Sequence, residues 1–317
     1  TFITSRGLYK WNRLPMGIKN AGQYFQKILE TEVLKGLSHN IVLKYLDDCM
    51  IAAQTEEEFI TNLETILHRF SIHNIYINPD KCYLGMESLE ILGHQISKDG
   101  ISFSREKLDG VNSFEQPRTS LQMMSFLGLT NYFRDHIKDY ANLEDPLRRL
   151  VITDKRHAPL NWLPNEVNAF NKLKDAIYNM PMLFFIDDIS PVYLHTDASD
   201  YGIGAYLFQV RDGIEYPIGF LSRKLHGAEL NWTTYEKEGY AIHEAVKKFE
   251  YLLRDIKFTL RTDHRNLLFL NRPDASQKVA RWKMNIQSFD FEVEHIPGKE
   301  NLVADFTSRL VSVPLQE

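Results

Sequence analysis

Four acidic residues in the C-terminal half of the chain stand where predicted strands or helices end. Asp197 closes the run VYLHTD, Asp263 closes KFTLRTD, and Asp305 falls in a final helix predicted over 301–310. Carboxylates that converge from separate elements can hold two divalent cations about 4 Å apart, an arrangement suited to phosphodiester hydrolysis. Hard oxygen ligands favour Mg²⁺ or Mn²⁺. The alternative for each Asp alone is a helix cap or a turn residue, so only their joint placement predicts a metal site.

Glu238 is the fourth carboxylate, and helical periodicity selects it from its neighbours. Positions 238, 242, 245 and 249 share one face of a predicted long helix, and the other three are apolar, so Glu238 should face the sheet. Glu236 lies off that face and is explained by the capping box Thr233-x-x-Glu236. A carboxylate aimed at a core is costly unless a cation meets it, which again favours a metal site.

The elements that must position these carboxylates predict a mixed sheet with helices packed on it. Three consecutive strands joined by short turns come first, and the long helix beginning at Thr233 follows them. Strands and helices then alternate, which is typical of an α/β arrangement. The predicted ranges are 192–197, 202–210 and 216–225 for the three strands, then 257–263 and 291–296 for strands and 276–289 and 301–310 for helices.

The first half mixes helices with short strands. Apolar residues at helical spacing predict helices over 21–37 and 56–73. Strands over 41–46 and 49–53 should form a hairpin whose turn contains Asp47 and Asp48. Further on, residues 120–137 give the clearest helical pattern. Residues 138–163 are charged, contain two prolines and lack a sustained period, so we expect connecting structure there.

Composition limits the classes of protein to which this chain can belong. A chain of 317 residues with 44% apolar and 25% charged residues is an ordinary globular protein of two or three domains. The net charge of -5 argues against a uniformly basic nucleic-acid coat but leaves local basic grooves open. Cys49 and Cys82 are too few for a disulfide framework. No membrane-spanning run or signal peptide is recognised, and because the chain begins with Thr we expect a piece of something longer.

Whole motifs carry a resemblance to a known family. LHTDASDYGIGAYLFQ, LSRKLHGAELNWTTYEKEGYAI, LRTDHRNLLFL and the segment ending in HIPGKENLVADFTSRL resemble the ribonuclease H domain of gypsy-type long-terminal-repeat retrotransposon polyproteins. The first half resembles the reverse transcriptase of the same elements, through GLYKWNRLPMGIKNAGQYFQKIL, YLDD, NPDKC and ILGHQIS. LQMMSFLGLTNYFRDHI is similar to the thumb region. The resemblance covers nearly the whole chain.

The resemblance implies an α/β (α+β) fold class in several domains. A partial polymerase palm would occupy residues 1–98, without fingers or the first catalytic strand. A helical thumb and connection would span 99–155. A ribonuclease H-like mixed sheet with flanking helices would span 156–312, and 313–317 would be a tail.

The resemblance also implies roles for single residues. In the nuclease, the catalytic metal ligands would be Asp197, Glu238, Asp263 and Asp305. In the polymerase, Asp47 would bind metal and Asp48 would be its neighbour in the catalytic hairpin. Primer, template or nucleotide would contact Tyr45, Gln23, Phe25, Gly17 and Lys81. Each active site would hold two Mg²⁺ or Mn²⁺ ions. Core packing is the alternative for Phe25, and a solvated side chain is the alternative for Lys81.

Several cations could contact the phosphates of a bound hybrid without reading its sequence. They are Lys278, Arg281 and Lys283, with Lys247 and Lys248 on the long helix.

The implied function is RNA-directed DNA polymerisation in the intact parent, with metal-dependent hydrolysis of RNA in RNA–DNA hybrids by the C-terminal domain. The implied partners are the hybrid, template-primer and dNTP, with no membrane, in the cytoplasm, in virus-like particles or in the nucleus. Because a further metal-binding Asp should precede GLYKW, we do not expect this chain alone to polymerise DNA.

Gly22 stands where the family commonly has proline, and Phe306-Thr307 replaces a small and an aliphatic residue after the last Asp. Together with the missing polymerase strand, the Phe306-Thr307 change motivates an alternative function, a catalytically decayed or domesticated module that binds nucleic acid without cutting it. A scaffold for a protein partner is a third possibility that no motif favours.

Overall fold

The computed structural model describes residues 1–15, 17–38, 40–152, 154–262 and 276–295. Contacts divide the chain into two units, Thr1–Leu84 and Gly85–Glu317. Each unit buries apolar clusters of its own and therefore has its own core.

The first unit combines short antiparallel hairpins with helices. Its elements are β1 (Phe2–Thr4), β2 (Gly7–Tyr9), α1 (Ala21–Ile28, continued by a π-helical turn over Leu29–Val33), β3 (Val42–Tyr45), β4 (Asp48–Ile51) and α2 (Glu56–Ile72). β1 pairs with β2 and β3 pairs with β4. The predicted hairpin around Asp47 and the predicted helix over 56–73 are confirmed. The first helical segment ends at Val33, short of the predicted residue 37, and Gly36 beyond it has a left-handed φ of +79°.

The second unit begins with a small sheet followed by a helical cluster. Its elements are β5 (Ser88–Ile91), β6 (His94–Ser97), β7 (Gly100–Ser102), α3 (Arg105–Asn112), α4 (Ser120–Thr130, followed by a 3₁₀ turn over Asn131–His136), α5 (Tyr140–Arg149), α6 (Pro164–Tyr178) and β8 (Leu183–Phe184). The helices bury one apolar cluster that includes Met123, Phe126, Phe133, Leu147 and Leu173. The predicted helix at 120–137 is confirmed as an α-helix with a 3₁₀ end.

α5 corrects the expectation that residues 138–163 only connect other elements. It buries Tyr140, Ala141, Glu144 and Leu147 against the helical cluster, with Pro146 inside the helix. Proline removes one backbone hydrogen bond and disfavours a helix interior. Packing of the buried side outweighs that penalty here, and a propensity argument from sequence cannot include it.

The small sheet closes through strands far apart in the chain, and Gly100 makes this possible. β8 pairs with β7, and the strand order is β5-β6-β7-β8. A Cβ placed on Gly100 would lie 2.1 Å from the backbone oxygen of Leu183 and 2.9 Å from its carbonyl carbon. The two strands can therefore approach this closely only because residue 100 has no side chain.

We expect Gly100→Ala to lower the free energy of unfolding by about 1–3 kcal/mol, because the backbone of β8 must move away from β7. Gly110→Ala is the matched control. A Cβ at Gly110, within α3, meets no atom within 4 Å, so alanine should be neutral or stabilise the helix by up to about 1 kcal/mol. Urea unfolding of the full chain measures both. Equal effects of the two substitutions would contradict the close approach.

A mixed five-stranded sheet forms the rest of the described part of the second unit. Its elements are β9 (Val192–Ala198), β10 (Gly202–Arg211), β11 (Ile214–Lys224), α7 (Thr234–Lys248), α8 (Glu250–Leu253), β12 (Phe258–Thr262), α9 (Gln277–Ile286) and β13 (Phe291–His295). The order is β11-β10-β9-β12-β13, with β12 parallel to both β9 and β13. The predicted mixed sheet is confirmed. The helix predicted over 301–310 lies outside the described residues.

α7 and α9 pack on one face of this sheet. Val192 and Leu194 of β9 share a buried cluster with Ala245 and Val246 of α7 and with Trp282 of α9. Trp282 is only 8% exposed, and its ring centroid lies 5.4 Å from that of Trp232. Trp282 is therefore buried in this cluster, and Trp232 packs against it half-buried.

The helical cluster covers the outer side of edge strand β11. Arg134 donates to the backbone oxygen of Ser222 at 3.0 Å, and the Ser222 hydroxyl accepts from the backbone of Ala141 at 3.0 Å. Lys248, at the end of α7, pairs with Asp135 at 2.5 Å. The two bonds to Ser222 use polar groups of an edge strand that would otherwise be open to pairing with another chain.

Within the described ranges, none of the helices combines the length and apolar character that crossing a bilayer would require.

Candidate active site

Glu238 lies in the second turn of α7 and is buried, with 8% of its surface exposed. Ile242, Ala245 and Val246 follow it on the helix and are buried in the core. The helical periodicity predicted this inward position, and the structure confirms it. A carboxylate in such a place carries a desolvation cost that a role in cation binding would explain.

Glu236, two residues earlier, serves the start of the helix instead. Its carboxylate accepts from the backbone N–H of Thr233 at 3.1 Å, while Thr233 Oγ1 accepts from the backbone N–H of Glu236 at 3.3 Å. Lys278 Nζ lies 2.9 Å from the same carboxylate. Although burial opposes the shift, these partners lower the pKa of Glu236 below its usual value. The predicted capping box is confirmed.

Asp197 is the last residue but one of β9 and is half-buried. Alternation along the strand places it on the face of Tyr193 and His195, opposite the face of Val192 and Leu194 that packs on α7. It can therefore meet Glu238 only around the end of the strand.

The two parallel central strands end at the same edge of the sheet. Thr262, the final residue of β12, pairs with Thr196. The residues that follow in the sequence are Asp263 and Asp197. Asp263 and Asp305, two of the four predicted ligands, lie outside the described residues, as does the Phe306-Thr307 departure. Within the described ranges, no group of three or more His, Cys, Asp or Glu side chains is arranged to hold a metal ion.

Lys237 and Asp200 are polar residues near these carboxylates that sequence reasoning missed. Lys237 precedes Glu238 on α7, and its Nζ lies 2.9 Å from Oδ1 of Asp200 in the turn after β9. Lysine on a helix is usually solvated, so its burial gave no signal in the sequence. Its partner lies 37 positions away, beyond any helical spacing.

The predicted polymerase carboxylates lie at a tight hairpin turn. Tyr45 of β3 pairs with Asp48 of β4, which leaves Leu46 and Asp47 as the two turn residues. Leu46 has a left-handed φ of 54°, a conformation that costs a non-glycine residue roughly 1–2 kcal/mol. Both carboxylates are exposed, and Tyr45 is 48% exposed. Burial, and then the charge of Asp48, raises the pKa of the Cys49 thiol that follows them.

α1 lies against this turn at Gly22. A Cβ on Gly22 would lie 3.2 Å from Cδ2 of Leu46, which brings the segment containing Gln23 close to the hairpin. Phe25 on the same helix is 39% exposed, so core packing is not its role. Gly17 has a left-handed φ of +85°, which explains a glycine there, and Lys81 is exposed in a 3₁₀ turn.

Two of the predicted phosphate-contacting lysines are used inside the fold. Lys248 bonds Asp135 and donates to the backbone oxygen of Phe220 at 2.7 Å. Lys278 bonds Glu236 and lies over the ring of Trp232, 4.3 Å from its centroid. Arg281 of α9 and Lys247 of α7 are exposed, whereas Lys283 of α9 is half-buried.

Comparison with known proteins finds a family match in each half of the chain. Residues 1–96 match the family model for reverse transcriptase (RNA-dependent DNA polymerase), and residues 187–289 match that for the RNase H-like domain found in reverse transcriptase. Two relatives are the Tf2-3 and Tf2-7 transposon polyproteins of Schizosaccharomyces pombe, each 32% identical over 316 residues, or 98% of this chain. Residues 1–96 belong to the reverse transcriptase family and residues 187–289 to the RNase H-like family found in reverse transcriptases, and nearly the whole chain is similar to gypsy-type retrotransposon polyproteins. The chain spans 23% of the length of those relatives.

Solved structures agree with this family at the level of the fold. The foamy viral protease-reverse transcriptase in complex with RNA/DNA hybrid has a TM-score of 0.70 and 20% identity, covering 97% of this chain and 41% of that one. The same enzyme in complex with dsDNA gives a TM-score of 0.73 and 22% identity, covering 90% and 60%. The predicted fold class is confirmed. Both families matched are generally dependent on divalent metals.

Proposed function

We propose that the C-terminal part of this chain hydrolyses the RNA strand of RNA–DNA hybrids. The burial of Glu238 carries this proposal, because a carboxylate on the core face of α7 is costly for a purely structural element. Its metal ligands would be Asp197, Glu238, Asp263 and Asp305.

The donors that the structure describes fit a hard divalent cation. Asp197 and Glu238 both offer carboxylate oxygens, the ligands that Mg²⁺ and Mn²⁺ prefer. Two such ions, when bound, would supply an activated water and charge stabilisation for the leaving oxygen. The protein's own part is to hold the carboxylates at one edge of a rigid sheet and to orient the hybrid.

Similarity supports nucleic acid as the partner. The foamy viral enzyme was solved with an RNA/DNA hybrid and with dsDNA, and its fold covers most of this chain. Template-primer and dNTP would be partners of the parent polymerase, whose hairpin carboxylates are Asp47 and Asp48. Tyr45, Gln23, Phe25, Gly17 and Lys81 would contact those substrates.

The domain division proposed with this function is a palm over 1–98, a thumb and connection over 99–155, a nuclease over 156–312 and a tail over 313–317. Separate buried clusters in the first unit, the helical cluster and the mixed sheet support several domains. We place the protein in the cytoplasm, in virus-like particles or in the nucleus.

The test is cleavage by the full chain. Purified protein with a labelled hybrid and Mg²⁺ or Mn²⁺ should cut the RNA strand, and should leave single-stranded RNA and duplex DNA intact. Asp197→Asn should reduce the rate by about a thousandfold, because a metal ligand is lost. Asp188→Asn, at an exposed carboxylate just before β9, is the matched control and should cut normally.

Absence of cutting, or cutting unaffected by Asp197→Asn, would contradict the proposal. Hybrid binding with no metal-stimulated turnover would instead favour the module that binds without catalysis.

A further inference from the structure

Lys237 is a buried cation beside a proposed metal ligand. Its side chain is 6% exposed, and it lies immediately before Glu238 in the second turn of α7. Burying an ammonium group is costly unless a partner compensates it. Such a side chain therefore needs a structural or functional reason to be there.

Asp200 supplies the partner from the turn after β9. Lys237 Nζ lies 2.9 Å from Asp200 Oδ1 and 3.4 Å from the backbone oxygen of the same residue. Asp200 itself is 82% exposed in its side chain, so it gives a charge to Lys237 while keeping most of its own hydration. Two bonds to one residue fix the direction as well as the length of this contact.

The turn that presents Asp200 is itself held rigid. The backbone N–H of Ser199 donates to Gly202 at 2.8 Å, and the Ser199 hydroxyl accepts from the backbone of Gly202 at 3.1 Å. Tyr201 accepts from the backbone N–H of Leu225, beyond the end of β11, at 2.9 Å. Asp200 is therefore a fixed point, three residues after Asp197.

A path along the backbone with one polar contact thus joins the two proposed ligands. It runs from Glu238 to the adjacent Lys237, across to Asp200, and back three residues to Asp197. Apolar packing of Ala198 in the cluster with Ala241 and Tyr240 already holds α7 near the end of β9. The Lys237–Asp200 ion pair adds a directional polar contact between the same two places.

We propose that Lys237 is a positioning residue of the nuclease, whose bond to Asp200 sets the spacing of Glu238 and Asp197 and so the affinity of the site for divalent cations. This inference rests on the proposed nuclease function. Residues that orient metal ligands typically change metal affinity or activity by about 10–100-fold when they are replaced.

The test replaces the exposed partner, because that change leaves the core intact. In the full chain, Asp200→Asn should raise the Mg²⁺ concentration for half-maximal hybrid cleavage by about tenfold. Mn²⁺ binding to hybrid-free protein, measured by calorimetry, should weaken by a similar factor. Lys237→Met should have the same effect, the double variant should be no worse than either, and Lys237→Arg should restore most of the affinity.

A second ion pair in the same sheet gives the matched control. Lys257 and Glu292 lie 2.6 Å apart at the other end of β12 and β13, so Glu292→Gln should leave Mg²⁺ dependence and Mn²⁺ binding unchanged. In the absence of metal, Asp200→Asn should lower the melting temperature more than Glu292→Gln does, because the buried ammonium of Lys237 loses its partner whereas Lys257 is exposed. A general loss of stability would therefore be visible separately.

The outcomes distinguish the two proposals. If the wild-type chain cuts hybrids and Asp200→Asn keeps metal dependence and Mn²⁺ affinity within twofold, the inference on Lys237 is overturned and the nuclease function stands. If the wild-type chain does not cut but binds Mn²⁺, the nuclease function fails, and the effect of Asp200→Asn on that binding decides the inference. If it neither cuts nor binds Mn²⁺, both are overturned.

Discussion

Glu238→Gln should abolish hybrid cleavage while leaving the protein folded. Glutamine has the shape of glutamate, so the core around α7 keeps its packing, and a buried amide costs less to desolvate than a buried carboxylate. Metal ligation supplies several kcal/mol of transition-state stabilisation, so we expect a rate loss of about a thousandfold, or about 4 kcal/mol. In metal-free buffer the free energy of unfolding should change by less than about 1 kcal/mol.

Added metal should then stabilise the wild-type chain more than the Glu238→Gln variant. A cation that binds only the folded protein stabilises it in proportion to the logarithm of its concentration above the dissociation constant. Mg²⁺ or Mn²⁺ should therefore raise the melting temperature of the wild-type chain and raise that of Glu238→Gln much less. Differential scanning fluorimetry across a metal titration measures this directly.

Glu236→Gln provides the control on the same helix. Glutamine can keep the capping box, and the loss of charge beside Lys278 should lower stability by at most about 1 kcal/mol. Cleavage and the metal-induced rise in melting temperature should remain. If Glu238→Gln cleaved the hybrid at the same rate as Glu236→Gln, the inward carboxylate would not be a metal ligand. The burial of Glu238 would then no longer support the proposed function.

The contrast between these two glutamates shows what sequence can predict. The apolar stripe of α7 and the Thr233-x-x-Glu236 box are local patterns, and local patterns follow from helical geometry. They were enough to predict that Glu238 points inward and that Glu236 caps the helix. The strands of the mixed sheet follow from equally local alternation.

Features that depend on distant contacts were not predictable in the same way. α5 contains Pro146, and only its packing against the helical cluster stabilises it as a helix. β8 pairs with β7 across about 80 residues, and Lys237 finds Asp200 across 37. In each case the deciding energy comes from a partner that no short window of sequence contains.

Mild acid should destabilise the second unit through His136. This histidine is 4% exposed in the 3₁₀ turn after α4, and burial lowers its pKa from 6.5 to about 4. Its Nδ1 donates to the backbone oxygen of Pro181 at 3.4 Å, and its ring lies 4.8 Å from Phe103 and 6.5 Å from His94. The neutral ring therefore suits its place, whereas the charged ring does not.

The direction of the pH dependence follows from whether the folded or the unfolded chain binds the proton. Below pH 6.5 the unfolded chain protonates this histidine while the folded chain does not, so stability falls as the pH falls from 6.5 towards 4 and levels off below it. The loss attributable to His136 should reach about 3 kcal/mol at pH 4. Asp135 opposes the lowering of the pKa, while Lys248 and His94 add to it.

His136→Gln isolates this contribution, because glutamine can donate to Pro181 but does not titrate. Urea unfolding from pH 7 to pH 4 should show a wild-type stability that falls about 3 kcal/mol more than that of the variant. Carboxylates and His94, whose own pKa burial also lowers, titrate in both proteins, so the difference removes most of their effect. Parallel stability curves for the two proteins would mean that His136 accepts its proton in the folded state. The burial of its ring between β6, the 3₁₀ turn and Pro181 would then have no electrostatic cost, contrary to what its surroundings require.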